Sequence, residues 1–175
     1  MNLILIGYRC SGKTSVGKVL ARKLGWNFVD LDVLLEEEAG RSIQDLVAAE
    51  GWERFREMEG SLIASVCRGG GLVIATGGGA VTRAENVANL KRSGFVVWLK
   101  GEAEVLRSRM ADEERSGRVR PTLSGVDPRL EIEEVLGARN PLYQGAADLV
   151  VDTTARSLDE VAEQILRNLP PGFPV

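Results

Sequence analysis

Eight residues near the start of the chain, Gly7 to Thr14, have the glycine and lysine spacing of a loop that binds phosphate. They read Gly-Tyr-Arg-Cys-Ser-Gly-Lys-Thr and fit the P-loop pattern G-x-x-x-x-G-K-[ST]. The backbone N–H groups of such a loop, and those of the helix that follows, donate to phosphate oxygens. Lys13 adds a positive charge near the terminal phosphates, and the Thr14 hydroxyl is placed to bind Mg²⁺. The chain is therefore predicted to hold a nucleotide by its phosphates.

Two carboxylates, Asp30 and Asp32, lie at and just after the end of the short apolar segment that begins at Asn27. Many P-loop ATPases and GTPases instead place a metal-binding Asp at the end of a later strand. Here the later apolar segment Leu72–Ala75 is followed by Thr76 and three glycines, with no Asp. In an extended backbone Asp30 and Asp32 project to one face, where they repel unless a cation or a hydroxyl donor lies there. One carboxylate is therefore expected to serve Mg²⁺ and the other to accept from a substrate hydroxyl.

The elements that position these residues are predicted to alternate between strand and helix. Five short apolar segments are typical of buried strands: Leu3–Ile6, Asn27–Asp30, Leu72–Ala75, Phe95–Leu99 and Asp148–Val151. Strands that alternate with helices form a parallel sheet covered on both faces. We therefore expect an α/β fold of the P-loop kinase type, with three layers and a five-stranded parallel sheet.

The predicted helices are marked by apolar stripes and by capping residues. They comprise a helix after the P-loop that ends at Gly25, a short one capped by Ser42 with Asp45, and others at Trp52–Cys67, Arg83–Lys91 and Glu102–Met110. Asp127 and Pro128 indicate a further helix start. Ser157 with Glu160 is predicted to cap a last helix, whose apolar stripe includes Leu158, Val161, Ile165 and Leu169.

The composition is that of an ordinary soluble domain. The chain has 175 residues, 44% hydrophobic and 27% charged, with a formal net charge of −3. We expect one domain over 1–170, a frayed tail at 171–175, and no binding to nucleic acid or membrane. No targeting signal is evident, which predicts a cytoplasmic protein; we also expect a monomer. The absence of histidine excludes Ser-His-Asp and Cys-His catalysis.

The segment from Ala111 to Val126 differs from the rest of the chain. It is long and polar, and it carries three arginines between Arg115 and Arg120. Long loops in compact domains are usually functional or disordered. A solvated surface loop is one interpretation. The other, which we favour, is a mobile lid at about 111–126 that closes on a nucleotide, because arginine stabilises the charge on a transferred phosphoryl group.

The motifs resemble the shikimate kinase family over Leu3 to about Leu169, because they occur in that family's order. After the P-loop and Asp30-x-Asp32 come Gly40-Arg41-Ser42-Ile43, Phe55-Arg56-x-x-Glu59, Gly77-Gly78-Gly79-Ala80-Val81, Arg120-Pro121-x-Leu123, Arg139-x-Pro141-Leu142-Tyr143 and Val151-Asp152-Thr153. Each motif alone is weak, but the ordered set is highly specific. The resemblance implies that the chain transfers phosphate from ATP, with Mg²⁺, to the 3-hydroxyl of shikimate in the pathway to aromatic amino acids.

The resemblance also implies roles at the acceptor site, in a helical region at about 31–62 and beyond it. Arg56 and Arg139 would bind the shikimate carboxylate, with Glu59 orienting Arg56. Asp32 would accept from the reactive hydroxyl, either as a base or only as an orienting group. Gly77, Gly78 and Gly79 would let the substrate approach the backbone closely. Without the resemblance, Arg56 and Glu59 would be interpreted as a surface ion pair.

For the nucleotide, the resemblance implies phosphate contacts from the P-loop and adenine contacts from later arginines. The phosphate-binding set is Cys10, Ser11, Gly12, Lys13, Thr14 and Ser15, with Asp30 as the metal partner of Thr14. Arg120 would reach the transferred phosphoryl group from the lid. Arg109 is expected beside the adenine, with Arg107 as an alternative, and Arg156 as a second contact. The proline usual after that position is absent, and Ser157 and Leu158 stand there.

Three other functions compete with this interpretation. A gluconate kinase or a nucleoside monophosphate kinase would share the architecture, but the glycine run from Gly77 and the segment from Arg139 favour shikimate. A non-catalytic nucleotide-binding regulator predicts damage to Lys13, Asp32 or Arg120, all of which are present. A nucleic-acid-binding NTPase is disfavoured by the acidic charge balance.

Overall fold

The fold is built on one parallel sheet of five strands. A computed structural model of the chain describes residues 1–115 and 128–174. The strands are β1 (Asn2–Ile6), β2 (Asn27–Asp30), β3 (Leu72–Ala75), β4 (Gly94–Lys100) and β5 (Leu149–Asp152). Their order is β2-β3-β1-β4-β5, and every neighbouring pair is parallel. The predicted strands and the predicted sheet are confirmed.

Seven α-helices lie between or after the strands in the part of the chain that the structure describes. They are α1 (Lys13–Leu24), α2 (Leu31–Ala39), α3 (Ile43–Val66), α4 (Ala84–Ser93), α5 (Ala103–Arg115), α6 (Pro128–Ala146) and α7 (Leu158–Arg167), with a 3₁₀ turn at Ala80–Thr82. A non-helical Gly51 (φ 83°) divides α3 into the short and the long helix expected there. Within these ranges, no helix is both long enough and apolar enough to cross a membrane.

The start of α2 corrects one expectation about the two carboxylates. Asp30 is extended and caps the helix, because its side chain accepts from the backbone N–H of Asp32 at 3.1 Å. Asp32 lies in the first helical turn rather than in an extended segment. An Asp favours the N-cap position because its short side chain satisfies an otherwise unpaired N–H group. The two carboxylates are therefore brought together by a cap and not by strand alternation.

The two faces of the sheet pack against different helices. On β1, Leu3 and Leu5 point to one apolar cluster and Ile4 and Ile6 to the other, as strand alternation requires. The first cluster includes residues of α1 and α7, and the second includes residues of α2, α3, α4 and α6. This arrangement confirms the predicted three-layer fold.

The last helix has the predicted cap but not the whole predicted stripe. Ser157 and Glu160 form a complete capping box, in which each side chain accepts from the other residue's backbone N–H. Val161 and Ile165 are buried against the sheet. Leu158 is 46% exposed, so its assignment to the stripe is wrong. It lies at the helix N-terminus, beside the cavity above the P-loop rather than over the sheet.

The C-terminal segment is packed at Phe173, where the expected frayed tail is wrong. Phe173 is only 6% exposed. Its ring stacks on Trp26 with centroids 5.5 Å apart, and its edge meets Phe95 at 6.3 Å. The aromatic area that these rings remove from water offsets the entropy lost in ordering the last residues.

We expect Phe173→Ala to lower the free energy of unfolding by about 3 kcal/mol, as for other buried aromatic residues. Urea denaturation of the two proteins measures the difference. The control is Pro174→Ala, an exposed neighbour, which should change the free energy of unfolding by less than about 0.5 kcal/mol. Equal stability of Phe173→Ala and the parent chain would contradict this packing.

Candidate active site

The P-loop connects β1 to α1 and holds Lys13 inside it. The Lys13 ammonium donates to the carbonyl oxygens of Gly7 and Tyr8, each at 2.8 Å, and the side chain is buried. Cys10 and Gly12 both have positive φ, 60° and 97°. A side chain at Gly7 would lie 2.5 Å from the Leu99 carbonyl oxygen, so this position accepts only glycine. The loop is thus a compact turn with its cation already positioned.

Thr14 and Asp30 meet at the carboxyl edge of the sheet. The Thr14 hydroxyl donates to Asp30 Oδ2 at 2.7 Å. A hydroxyl and a carboxylate are hard oxygen donors, and Mg²⁺ in phosphate sites takes few such protein ligands beside phosphate and water oxygens. This donor pair therefore fits the metal that the sequence predicts for Thr14 and Asp30.

A cavity of about 680 Å³ opens above the P-loop. It is lined by P-loop residues, including Cys10, Ser11, Gly12 and Ser15, and also by Arg109, Thr153 and Arg156. The Arg109 guanidinium donates to the carbonyl oxygen of Thr153 at 2.8 Å and to its hydroxyl at 3.2 Å. Arg107 instead pairs with Glu104 and Glu133. The structure places Arg109, and not Arg107, beside this cavity.

A second cavity, of about 470 Å³, lies between α2, α3 and α6. Two arginines predicted for the acceptor line it. Arg56 donates to Glu59 Oε2 at 2.6 Å, and Arg139 donates to the Gly78 carbonyl oxygen at 3.2 Å. The expectation that Glu59 orients Arg56 agrees with this geometry. Each guanidinium is held in place and retains further N–H donors for a ligand.

Sequence reasoning missed the aromatic residues that support Arg56. The guanidinium carbon lies 4.9 Å from the ring centroid of Phe55 and 5.6 Å from that of Trp52. These contacts are cation–π interactions, which hold an arginine in place without neutralising it. Trp52 and Phe55 both line the second cavity. The sequence did contain a signal for these contacts, because Trp52 and Phe55 lie four positions and one position before Arg56 on the same helix.

The glycine run Gly77 to Gly79 makes room for charged side chains. A Cβ at Gly79 would lie 2.1 Å from Arg56 Nη2. A Cβ at Gly77 would lie 2.6 Å from Glu59 Oε1 and 2.8 Å from Asp32 Oδ1. The sequence analysis explained these glycines by close approach of a substrate. The structure adds a second reason, because a side chain at either position would clash with a charged residue of the site.

Two buried acidic groups near the second cavity have pKa values above their ordinary range. Burial raises the pKa of the Glu59 carboxyl, although Arg56 acts in the opposite direction. Burial raises the pKa of Tyr143 to about 12. The Tyr143 hydroxyl donates to the Gly78 carbonyl oxygen, which Arg139 also contacts. Tyr143 thus stays neutral and helps to hold the glycine run in position.

The two cavities are contiguous, because they share the lining residues Arg9, Thr14, Lys18, Asp30 and Asp32. Asp32 lies where the phosphate cavity meets the arginine-lined cavity. A group transferred from one cavity to the other passes this boundary. The predicted lid, except for its first residues on α5, and Arg120 lie outside the described residues.

Comparisons with known proteins agree with this geometry. A family model described as shikimate kinase matches residues 9–170. A shikimate kinase of Symbiobacterium thermophilum is 46% identical over 169 residues, covering 97% of this chain and 96% of that protein. One from Syntrophus aciditrophicus is 44% identical, with 95% and 89% covered. The structure of shikimate kinase from Acinetobacter baumannii in complex with shikimate matches with a TM-score of 0.88 at 34% identity, covering 95% of this chain and 90% of that chain.

The two tyrosines of the chain, Tyr8 and Tyr143, give a test of the buried site. Burial raises the pKa of both above the ordinary value of 10.0. We expect tyrosinate absorbance in the folded protein to increase mainly above pH 10. The folded state then binds these protons more tightly than the unfolded state, so the free energy of unfolding falls as the pH rises from 10.0 to about 12.

Spectrophotometric titration of the native and the urea-unfolded protein measures the difference. The control is Tyr143→Phe, which should remove the part of the absorbance change that occurs at the higher pH. Half of the tyrosinate signal appearing at pH 10 in the folded protein would contradict the burial of these hydroxyls.

Proposed function

The chain belongs to the shikimate kinase family, and we propose that its two contiguous cavities hold ATP and shikimate on the two sides of Asp32. The enzyme phosphorylates shikimate with ATP, forming shikimate 3-phosphate and ADP in the aromatic amino acid pathway. The main support for the residue assignments is that the P-loop cavity and the arginine-lined cavity share lining residues, Asp32 among them.

In this proposal the shikimate carboxylate binds Arg56 and Arg139. Both guanidinium groups line the acceptor cavity and are held by Glu59 and by the Gly78 carbonyl oxygen. Charge-assisted bonds from arginine to a carboxylate have a defined planar geometry, so they orient as well as bind the ring. With the carboxylate at this end, the hydroxyls of shikimate lie toward Asp32, with the glycine run along one side.

The Asp32 carboxylate accepts a hydrogen bond from the reactive 3-hydroxyl. The hydroxyl oxygen forms a bond to the γ-phosphorus as the bond from that phosphorus to the β,γ-bridging oxygen breaks. The bonding electrons leave with ADP, and the hydroxyl proton goes to Asp32 or to solvent. In a loose transition state the proton leaves late, so we assign Asp32 mainly to orientation of the hydroxyl.

On the donor side, backbone N–H groups of the P-loop bind the phosphates, with Ser11, Gly12 and Ser15 in the binding set and Cys10 at the edge. Lys13 neutralises charge on the phosphates. Thr14 and Asp30 would hold Mg²⁺, which would neutralise further charge on the phosphates. Arg109 and Arg156 would contact the adenine, since both line the nucleotide cavity.

On the basis of the family motif, we assign Arg120 to binding of the transferred phosphoryl group. We assign residues 111–126 to a lid that excludes water.

Action as a monomer in the cytoplasm, independent of nucleic acid and membrane, stays a prediction from the sequence. Sedimentation of the purified protein at assay concentration tests the first of these.

The deciding experiment for the acceptor is ADP release in a coupled assay with shikimate, gluconate and AMP as alternative acceptors. Release that depends on shikimate alone supports the proposal. Release stimulated by gluconate or AMP would assign the second cavity to a different acceptor. The two alternatives are those that share the architecture with this chain.

Asp32→Asn should retain ATP binding and lose phosphoryl transfer, because the amide accepts less strongly from the hydroxyl and cannot take its proton. We expect kcat to fall about 10²-fold or more. Steady-state kinetics and ATP titration measure the two effects. The control is Glu38→Gln, the same acid-to-amide change on an exposed residue of α2, which should leave kcat unchanged. Normal turnover by Asp32→Asn would place the acceptor hydroxyl elsewhere.

Gly79→Ala should weaken shikimate binding, because the new methyl group would occupy the position of the Arg56 guanidinium. Backbone strain is not expected, since Gly79 has a φ of −100°. Losing an arginine contact should raise the KM for shikimate about tenfold or more and leave the KM for ATP unchanged. The matched control is Gly137→Ala on α6, where a Cβ meets nothing within 4 Å. An unchanged KM for shikimate in Gly79→Ala would argue against this role of Arg56.

A further inference from the structure

Arg9, the third residue of the P-loop, has no role in the function described so far. Its side chain is half-buried and lines both the nucleotide cavity and the acceptor cavity. We propose that Arg9 binds the phosphate that is transferred, first on ATP and then on the 3-position of the product, and so makes the site selective for shikimate 3-phosphate over shikimate. This inference rests on the proposed function.

The location of Arg9 supports a contact with the transferred group. The γ-phosphoryl leaves one cavity and ends in the other, so it crosses the boundary that Arg9 shares with Asp30 and Asp32. The backbone N of Arg9 is close to Gly78, since a Cβ built on that glycine would lie 3.4 Å from it. Gly78 also accepts from Arg139. Arg9 therefore lies where the P-loop faces the part of the acceptor cavity assigned to the ring of shikimate.

Among the residues that the structure describes, no ion pair neutralises the charge on Arg9, and its side chain makes no hydrogen bond there. By contrast, Arg56 pairs with Glu59, and Arg109 donates to Thr153. A half-buried guanidinium whose five N–H donors meet no acceptor in this part of the chain is a group that an anionic ligand completes.

Three other cations of the described site already have partners. Lys13, assigned above to the phosphates of ATP, is held by the carbonyl oxygens of Gly7 and Tyr8, and the proposal assigns Arg56 and Arg139 to the shikimate carboxylate. Arg120, assigned above to the transferred phosphoryl group, lies outside the described residues. The product carries a second anionic group, the new phosphate, at the boundary. A guanidinium fork donates to two oxygens of one phosphate, which a hydrated ammonium does not. This favours Arg9 over Lys18, which lines the same boundary but is exposed.

The test compares two ligands that differ by one phosphate. Isothermal titration calorimetry measures the dissociation constants of shikimate 3-phosphate, shikimate and ADP for the parent enzyme and for Arg9→Met. We expect the dissociation constant of shikimate 3-phosphate to rise about tenfold or more in the variant, as for other lost charge-assisted contacts. Those of shikimate and ADP should change less than about threefold. Turnover should fall as well, because the same contact forms in the transition state.

Three further proteins make the result specific. Arg22→Met removes one exposed positive charge on α1 and should change none of the three constants. Arg9→Lys keeps the charge but lacks the fork, and it should lose part of the affinity for the phosphate. Arg9→Gln repeats the test with a polar side chain, so a packing defect in Arg9→Met does not decide the outcome. Retained ADP binding in each variant shows that the P-loop is intact.

Unchanged affinity for shikimate 3-phosphate in Arg9→Met and Arg9→Gln would overturn the inference. Equal losses for shikimate and for its 3-phosphate would overturn it too, since Arg9 would then bind the ring or the carboxylate. Failure of the proposed function is seen separately, as absence of shikimate-dependent ADP release by the parent enzyme.

Discussion

The hydrogen bond from Thr14 to Asp30 is the contact on which the site depends. It joins the start of α1 to the cap of α2, although their strands β1 and β2 are separated by β3. The register makes it possible, because Leu5 and Asp30 both lie opposite Ala75 and their strands end at the same edge. The phosphate loop, the carboxylates and the glycine run then leave the sheet together. Ligands bind at this edge in open α/β sheets generally.

The charged groups of the acceptor cavity are positioned before any substrate binds. Arg56 is held between Glu59 and two aromatic rings, and Arg139 is held by the same carbonyl oxygen that Tyr143 contacts. Holding a long side chain in advance removes part of the entropy that binding would otherwise cost. The buried Glu59 is tolerated because Arg56 compensates its charge; burial nevertheless keeps the pKa of its carboxyl above the usual range.

Local sequence signals predicted the strands, the P-loop and the capping box of α7, because each is determined within a few residues. What the sequence did not reveal depends on contacts between distant segments. The start of α2 at Leu31 follows from the Asp30 cap, and the order at Phe173 follows from Trp26 and Phe95. The choice between Arg107 and Arg109 needed the position of Thr153, which lies more than 40 residues away along the chain. The resemblance supplied roles, and the structure supplied the reasons for glycine at positions 77 and 79.

The packing of Arg56 against Gly79 has a consequence for attempts to change which acceptor the enzyme accepts. The space that a side chain at position 79 would need is the space the guanidinium occupies. Reshaping this wall therefore requires two simultaneous substitutions, because either one alone gives a clash or an empty space. Libraries of variants that change one position at a time would therefore indicate that neither position tolerates substitution. They would miss the paired substitutions that fit together. The two residues behave as one unit of variation, although 23 positions separate them in the sequence.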